Sequence, residues 1–231
     1  MHADWALEQI DDSRKSSAWA LRREYRSVCR ALSGVPSGSA VLDISRGSGR
    51  WLSALARRGD RVTCADSSQH ALAAASSHWR DIVRAGKLTP PEPTFVLSAL
   101  PHTSFPDRHF DAAICTGHFD RLGTSDLRIE ALRELRRISR GPVVVSFCNA
   151  FSLDALQLGL GRKRPSAGYR DRIPVPVWSF LNDLRRAGLN PVDRHAVLWG
   201  ISSLWHLVSV PASGRVGALV ATSRSGFAKA A

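Results

Sequence analysis

Methionine and lysine are scarce in this sequence: one Met and four lysines, at 15, 87, 163 and 229, in 231 residues. The 32 basic residues are otherwise all arginine, set against 20 acids for a formal net charge of +12. Such a charge makes nucleic acid or an anionic surface a candidate partner. The arginines are spread along the chain rather than gathered in one block, a pattern that a GC-rich genome also produces. Cysteine is sparse too: Cys29, Cys64, Cys115 and Cys148 form no Cys-x-x-Cys. The last three lie in apolar runs, as buried free thiols in a reducing cytoplasm would, and metal binding has little support. No apolar run approaches the roughly 20 residues that span a bilayer. No apolar leader precedes the first charged stretch, so a cytoplasmic protein without a transmembrane segment is expected. With 44% hydrophobic residues the length suits one ordinary domain.

A further absence decides how the most informative stretch is read. Ala40-Val41-Leu42-Asp43-Ile44 is a short apolar run, as expected for a strand buried on both faces. It leads into Gly47-Ser48-Gly49, and Trp51 to Ala56 then has the apolar spacing of a helix. Strand, glycine turn and helix in that order open a ligand-binding βαβ unit, with free N–H groups at the helix start. A dinucleotide loop would carry a third glycine, Gly-x-Gly-x-x-Gly, but Leu52 stands there. A second apolar run, Arg61 to Ala65, ends at Asp66, 23 residues beyond Asp43. That interval is close to the roughly 20 between a glycine loop and a ribose-binding acid.

The stretch from Asp43 to Gly49 resembles the Asp-x-Gly-x-Gly-x-Gly signature of class I S-adenosylmethionine (SAM) methyltransferases, with Ser45 where the family usually has its first glycine. Asp66-Ser67-Ser68 resembles the family's Asp-x-Ser, and Ser67 reads as the N-cap of the next helix. Phe105-Pro106-Asp107-Arg108-His109-Phe110-Asp111 resembles its Phe-Pro-Asp-x-x-Phe-Asp approach to the fourth strand. Leu132 to Pro142 resembles its Leu-x-Glu-x-x-Arg-Val-Leu-Lys-Pro-Gly. The ordered set runs from about residue 38 to 147.

The resemblance implies a single Rossmann-like α/β domain, with a seven-stranded, mostly parallel sheet, a reversed last strand and helices on both faces. Residues 1–37 would be an N-terminal helical cap, including an amphipathic helix from Ser16 to Leu32. Residues 38–231 would be the methyltransferase domain, with 159–176, a basic segment holding Arg162, Arg170 and Arg172, covering the substrate. The implied cofactor is SAM, bound by Asp43, Ser45, Gly47, Gly49, Asp66, Ser67, Ser98, Ala99, Leu100 and Cys115. Ser98 stands where many relatives have an acid that reads the adenine, so this chain would offer a neutral hydroxyl.

SAM already carries an activated methyl group, so the protein mainly orients a nucleophile and takes a proton. Histidine suits that task near neutral pH. His118, just past the fourth strand, is the first choice as catalytic base, and His102 the second. The chain lacks Asn/Asp-Pro-Pro-Tyr/Phe and a Pro-Cys nucleophile, which argues against adenine-, glutamine- and cytosine-C5-methylating types. The reading is methyl transfer to a small molecule or a lipid- or sugar-linked metabolite. An RNA methyltransferase or RNA-binding protein, and a catalytically weak or inactive relative, are the alternatives.

Overall fold

The computed structural model describes residues 25–26, 28–44, 49–85, 91–152, 155, 172–196 and 204–211. Within them the apolar runs become β1 (Ala40–Asp43), β2 (Arg61–Asp66), β3 (Thr94–Leu97), β4 (Ala112–Cys115), β5 (Val143–Cys148), β6 (Leu189–Ala196) and β7 (Leu204–Pro211). Between them lie α1 (Leu52–Arg57), α2 (Gln69–Arg84), α3 (Ser125–Ile138) and α4 (Val177–Arg186). The strands make one sheet in the order β3-β2-β1-β4-β5-β7-β6. β1 to β5 pair in parallel, and β7 runs antiparallel to both β5 and β6. This is the expected seven-stranded sheet with a reversed last strand. Pro191 is accommodated in β6 because that strand is at the sheet's edge, beside a register shift.

Near-continuous apolar sequence makes β1, β4 and β5 interior strands, and period-two alternation divides their side chains between two cores. Leu42, Ala113, Cys115, Val143, Val145 and Phe147 face α3 and α4 residues such as Leu132, Leu135, Phe180 and Leu184. Val41, Ala112, Ile114 and Val144 face Trp51, Leu55, Trp79 and, from the N-terminal helix, Val28. Of the helix expected over Ser16 to Leu32, only its end is among the described residues. There residues 28–31 are helical, and Val28, Ala31 and Leu32 are buried.

One local expectation is corrected. Ser68, not Ser67, caps α2, its hydroxyl accepting from the Ala71 amide at 3.3 Å. On α3, Leu127 is 47% exposed whereas Arg128 is buried. Arg128 falls in line with Leu132 and Leu135 at the i, i+4, i+7 spacing. It is accommodated there because Asp183 on α4 accepts from its Nε at 2.7 Å and from Ser125 Oγ, while the Leu122 carbonyl accepts from another guanidinium nitrogen.

The two longer family-like motifs prove to be wired to each other. Arg137 donates to Glu134, to Asp107 at 2.6 Å and to the Phe105 carbonyl at 2.8 Å, and Thr103 donates its amide to Glu134 at 2.9 Å. Asp111 accepts from Arg140 at 2.6 Å and from the Ala40 amide at 2.9 Å, joining α3's end to the start of β1. Phe105 and Phe110 pack edge to face at 5.1 Å beneath this network. Burial alone would raise the Glu134 carboxyl, but hydrogen bonds from Arg137 and Thr103 outweigh it and hold its pKa down at about 2.

Candidate active site

Strand order reverses between β1 and β4, and in open α/β sheets a crevice forms at the carboxyl ends on either side of such a switch. A cleft of about 590 Å³ lies there, within the range of small-molecule sites. Ile44 follows β1, Ala65 and Asp66 end β2, and Ser67, Ser68 and Ala71 begin α2. Ser98, Ala99 and Leu100 follow β3, and Gly117, His118, Arg121 and Leu122 follow β4. Four strand ends thus supply one lining.

Each position has a local cause. The backbone at Gly49 has φ +69°, and a Cβ there would collide with the Leu52 side chain and crowd Ala75 at 3.1 Å. Glycine therefore lets α1 and α2 close together beneath the loop. Trp51 Nε1 donates to Thr116 Oγ1 at 3.1 Å in the interior, tying the start of α1 to the end of β4. Gly117, at φ +76°, turns the chain out of β4 and donates its amide to buried Ser146 on β5 at 2.8 Å. His118 then opens a single 3-10 turn, Phe119–Arg121, its ring edge to face with Phe119 at 5.6 Å. Asp66 Oδ1 accepts from the Ser68 amide at 2.8 Å, and the Asp66 carbonyl accepts from the Ser98 amide at 3.0 Å. The ends of β2 and β3 are therefore coupled at the residue offered for ribose.

Carboxylates lie at and beneath the site. Burial pushes the Cys64 thiol up to about 12, with the carboxylates of Asp43 and Asp66 adding to the effect. Burial likewise raises Cys115, with Asp43 and Asp120 contributing. Both cysteines stay protonated and inert, and the carboxylates that act on them mark a region favourable to a cation.

Of the residues expected from the sequence, Asp66, Ser67, Ser98, Ala99, Leu100 and His118 come together in this lining. Asp43 is buried at the end of β1, directly behind Ile44. Cys115 lies apart from them: it is fully buried inside β4, its side chain in the core shared with α3 and α4, and it is not part of the cleft lining. Ser45 and Gly47 lie outside the described residues, as does the basic segment up to residue 171. His102 is turned outward, 83% exposed, with Glu130 at 3.4 Å. Sequence reasoning missed Arg121 and Leu122, which belong to no motif; their one signal is their place three and four residues beyond His118. Among the described residues no cluster of His, Cys, Asp or Glu could hold a metal ion, and no helix is long and apolar enough to cross a membrane.

Residues 41–141 match the family described as a methyltransferase domain. No curated protein matches the chain in sequence. Among solved structures, magnesium protoporphyrin IX methyltransferase from Synechocystis PCC 6803 with bound SAH is 18% identical, with a TM-score of 0.71 over 88% of this chain and 89% of that one. A SAM-dependent methyltransferase from Aquifex aeolicus is 17% identical, TM-score 0.58, over 88% of this chain and 95% of that one. Geranyl diphosphate methyltransferase in complex with GPP and sinefungin is 12% identical, TM-score 0.57, over 80% and 75%. At these identities the solved structures speak to the fold, and the family match speaks to the domain that occupies it. The sheet order, the cleft at its switch point and the matched segment define a class I methyltransferase domain. Residues 41–141 thus carry a methyltransferase domain, and the fold around them is that of solved SAM-dependent methyltransferases.

Proposed function

We propose that this enzyme transfers the methyl group of SAM to a small-molecule acceptor bound on the His118 side of the cleft. The observation that carries this reading is the convergence of Asp66, Ser98, Ala99 and His118 from three strand ends in one lining. The residues fit the cofactor's chemistry: a carboxylate for hydroxyls at β2, backbone and hydroxyl groups for a base edge at β3, and an acidic surround for a cation. SAM supplies an electrophilic methyl group on a sulfonium. Asp66 holds the ribose through Oδ2, since Oδ1 is taken by the Ser68 amide. Ser98 and Ala99 meet the adenine, and Asp43, Ser45, Gly47 and Gly49 support the methionine part. His118 orients the acceptor and removes its proton, braced by Phe119.

Solved relatives named for magnesium protoporphyrin and geranyl diphosphate support a small-molecule acceptor. The arginines speak less for nucleic acid than their number suggests. Arg58, Arg128, Arg137, Arg140 and Arg172 each pair with a carboxylate of the fold. Calorimetric titration of SAM into the parent and Asp66→Ala tests the site. Loss of one charge-assisted bond, about 1.5–3 kcal/mol, weakens binding roughly tenfold or more. Equal affinity would show that Asp66 only shapes the turn before α2. A parent that binds no SAM would sink the whole reading.

A further inference from the structure

Next to the cleft, on the same carboxyl-end edge of the sheet, stands an aromatic surface that no step above uses. Phe151 is 56% and Trp178 64% exposed, and their rings lie 4.8 Å apart, tilted by 37°. Ile173, 39% exposed, continues the surface toward the cleft, its side chain 3.4 Å from where a Cβ on Gly123 would be. Gly123 directly follows Leu122 of the cleft lining. Exposed large apolar groups gathered at a cleft mouth mark a binding surface more often than scattered ones do.

This surface is built rigidly onto the site. Phe151 stands three residues beyond β5, as His118 stands three beyond β4, and neighbouring strands lie about 4.8 Å apart. The Ile173 amide donates to the Asp120 carbonyl and the Val175 amide to the Cys148 carbonyl at 2.8 Å, so this stretch laces the two strand ends together. From His118 a train of rings runs inward: Phe119 is edge to face with Phe180 at 5.6 Å, and Phe180 stacks on Phe147 at 4.4 Å. Phe180 and Trp178 share the first half of α4. Guanidinium groups also stand on this rim. Arg121 lines the cleft, and Arg172 flanks Ile173 with its Nε 3.3 Å from Asp120.

We infer that the methyl acceptor is a ring-bearing apolar molecule with an anionic group. Its ring lies on Phe151 and Trp178, and its anion is turned toward Arg121 and Arg172. Stacking on exposed aromatics favours a flat ring, and the guanidinium fork favours a carboxylate or phosphate. This rests on the methyltransferase reading of the cleft but can fail separately from it.

The test is a fluorescence titration with naphthoate and with its neutral counterpart naphthylmethanol, at saturating SAM, with SAM affinity measured in parallel. Naphthoate binds the parent more tightly than naphthylmethanol, and the double variant Phe151→Ala/Trp178→Ala weakens naphthoate about tenfold while leaving SAM affinity unchanged. Arg121→Gln removes the preference for the anion. A double variant that binds naphthoate like the parent, or a parent that does not bind it, overturns the inference. So does a parent that sediments as a dimer and becomes a monomer in the double variant, since a second copy would then cover the rings. Absence of SAM binding in the parent would instead overturn the function proposed for the cleft, while probe binding still judges the aromatic surface.

Discussion

Replacing Glu134 by Gln should cost stability at neutral pH and almost nothing in acid. Glu134 sits where the loop before β4 meets α3, its side chain 10% exposed, accepting from Arg137 and Thr103. The fall of its pKa from an ordinary 4.5 to about 2 corresponds to ~3 kcal/mol. The Arg137 side chain is 35% exposed, so solvent screens part of this and leaves about 2 kcal/mol. The sign follows from the depressed folded value. The stabilisation is complete above about pH 4.5, where the unfolded chain is also ionised, and is lost as pH falls toward about 2. Glutamine keeps an acceptor but not the charge. Urea unfolding of parent and variant should therefore differ by about 2 kcal/mol at pH 7, by about half that at pH 3, and hardly at all near pH 2. Other carboxylates, such as Asp111 beside Arg140, cancel in the difference because both proteins carry them. A gap that stays constant from pH 7 to 2 would refute the charge argument. Altered SAM affinity in the variant would refute the assignment of this motif to the scaffold.

The remaining predictions bear on the site and its support. Gly49→Ala places a side chain at φ +69° against Leu52 and Ala75; beyond about 1–2 kcal/mol of backbone strain it should weaken SAM binding, read together by urea unfolding and calorimetry. His118→Ala should slow methyl transfer by about 10²–10⁴ with SAM affinity within twofold, measured as SAH release with any accepted substrate. Arg128→Met leaves Asp183 buried without its cation and should destabilise by about 3–5 kcal/mol in thermal unfolding, most of it recovered by adding Asp183→Leu.

The parallel sheet was legible because its strands read as short apolar runs set off by glycine, proline and acid, and β1 falls within the run Ala40 to Ile44. The acid that ends β2 was legible for another reason: its interval from β1 reflects the length of one helix and two turns. What could not be read was tertiary pairing. Arg128 looks like a surface residue of an amphipathic helix until Asp183, 55 positions away, is brought against it. Cys115 lies at the right strand end, yet strand alternation alone decides which face it serves, and the core takes it. The role of Glu134 and Arg137 was hidden in the same way. Their motif stood out as a family resemblance, but its physical content, a clasp on the loop before β4, exists only once the two stretches meet. Arg121, on a one-turn helix, carries no periodicity at all.

The reversed strand β7 also says something about the order in which this protein can be finished. β5, Val-Val-Val-Ser-Phe-Cys, is buried along its whole length and pairs on one side with β4 and on the other with β7. Its partner β7 begins at Leu204, 56 residues after β5 ends, and β6 is synthesised before it yet lies outside it. During synthesis the chain therefore holds an uncharged, proline-free strand with one edge open until nearly all of the described fold has been made. Such an edge is the kind that pairs with a neighbouring molecule when its own partner is late. The last strand to arrive is thus also the guard of the most apolar one, and a nascent chain stopped before Leu204 would expose β5 to its siblings.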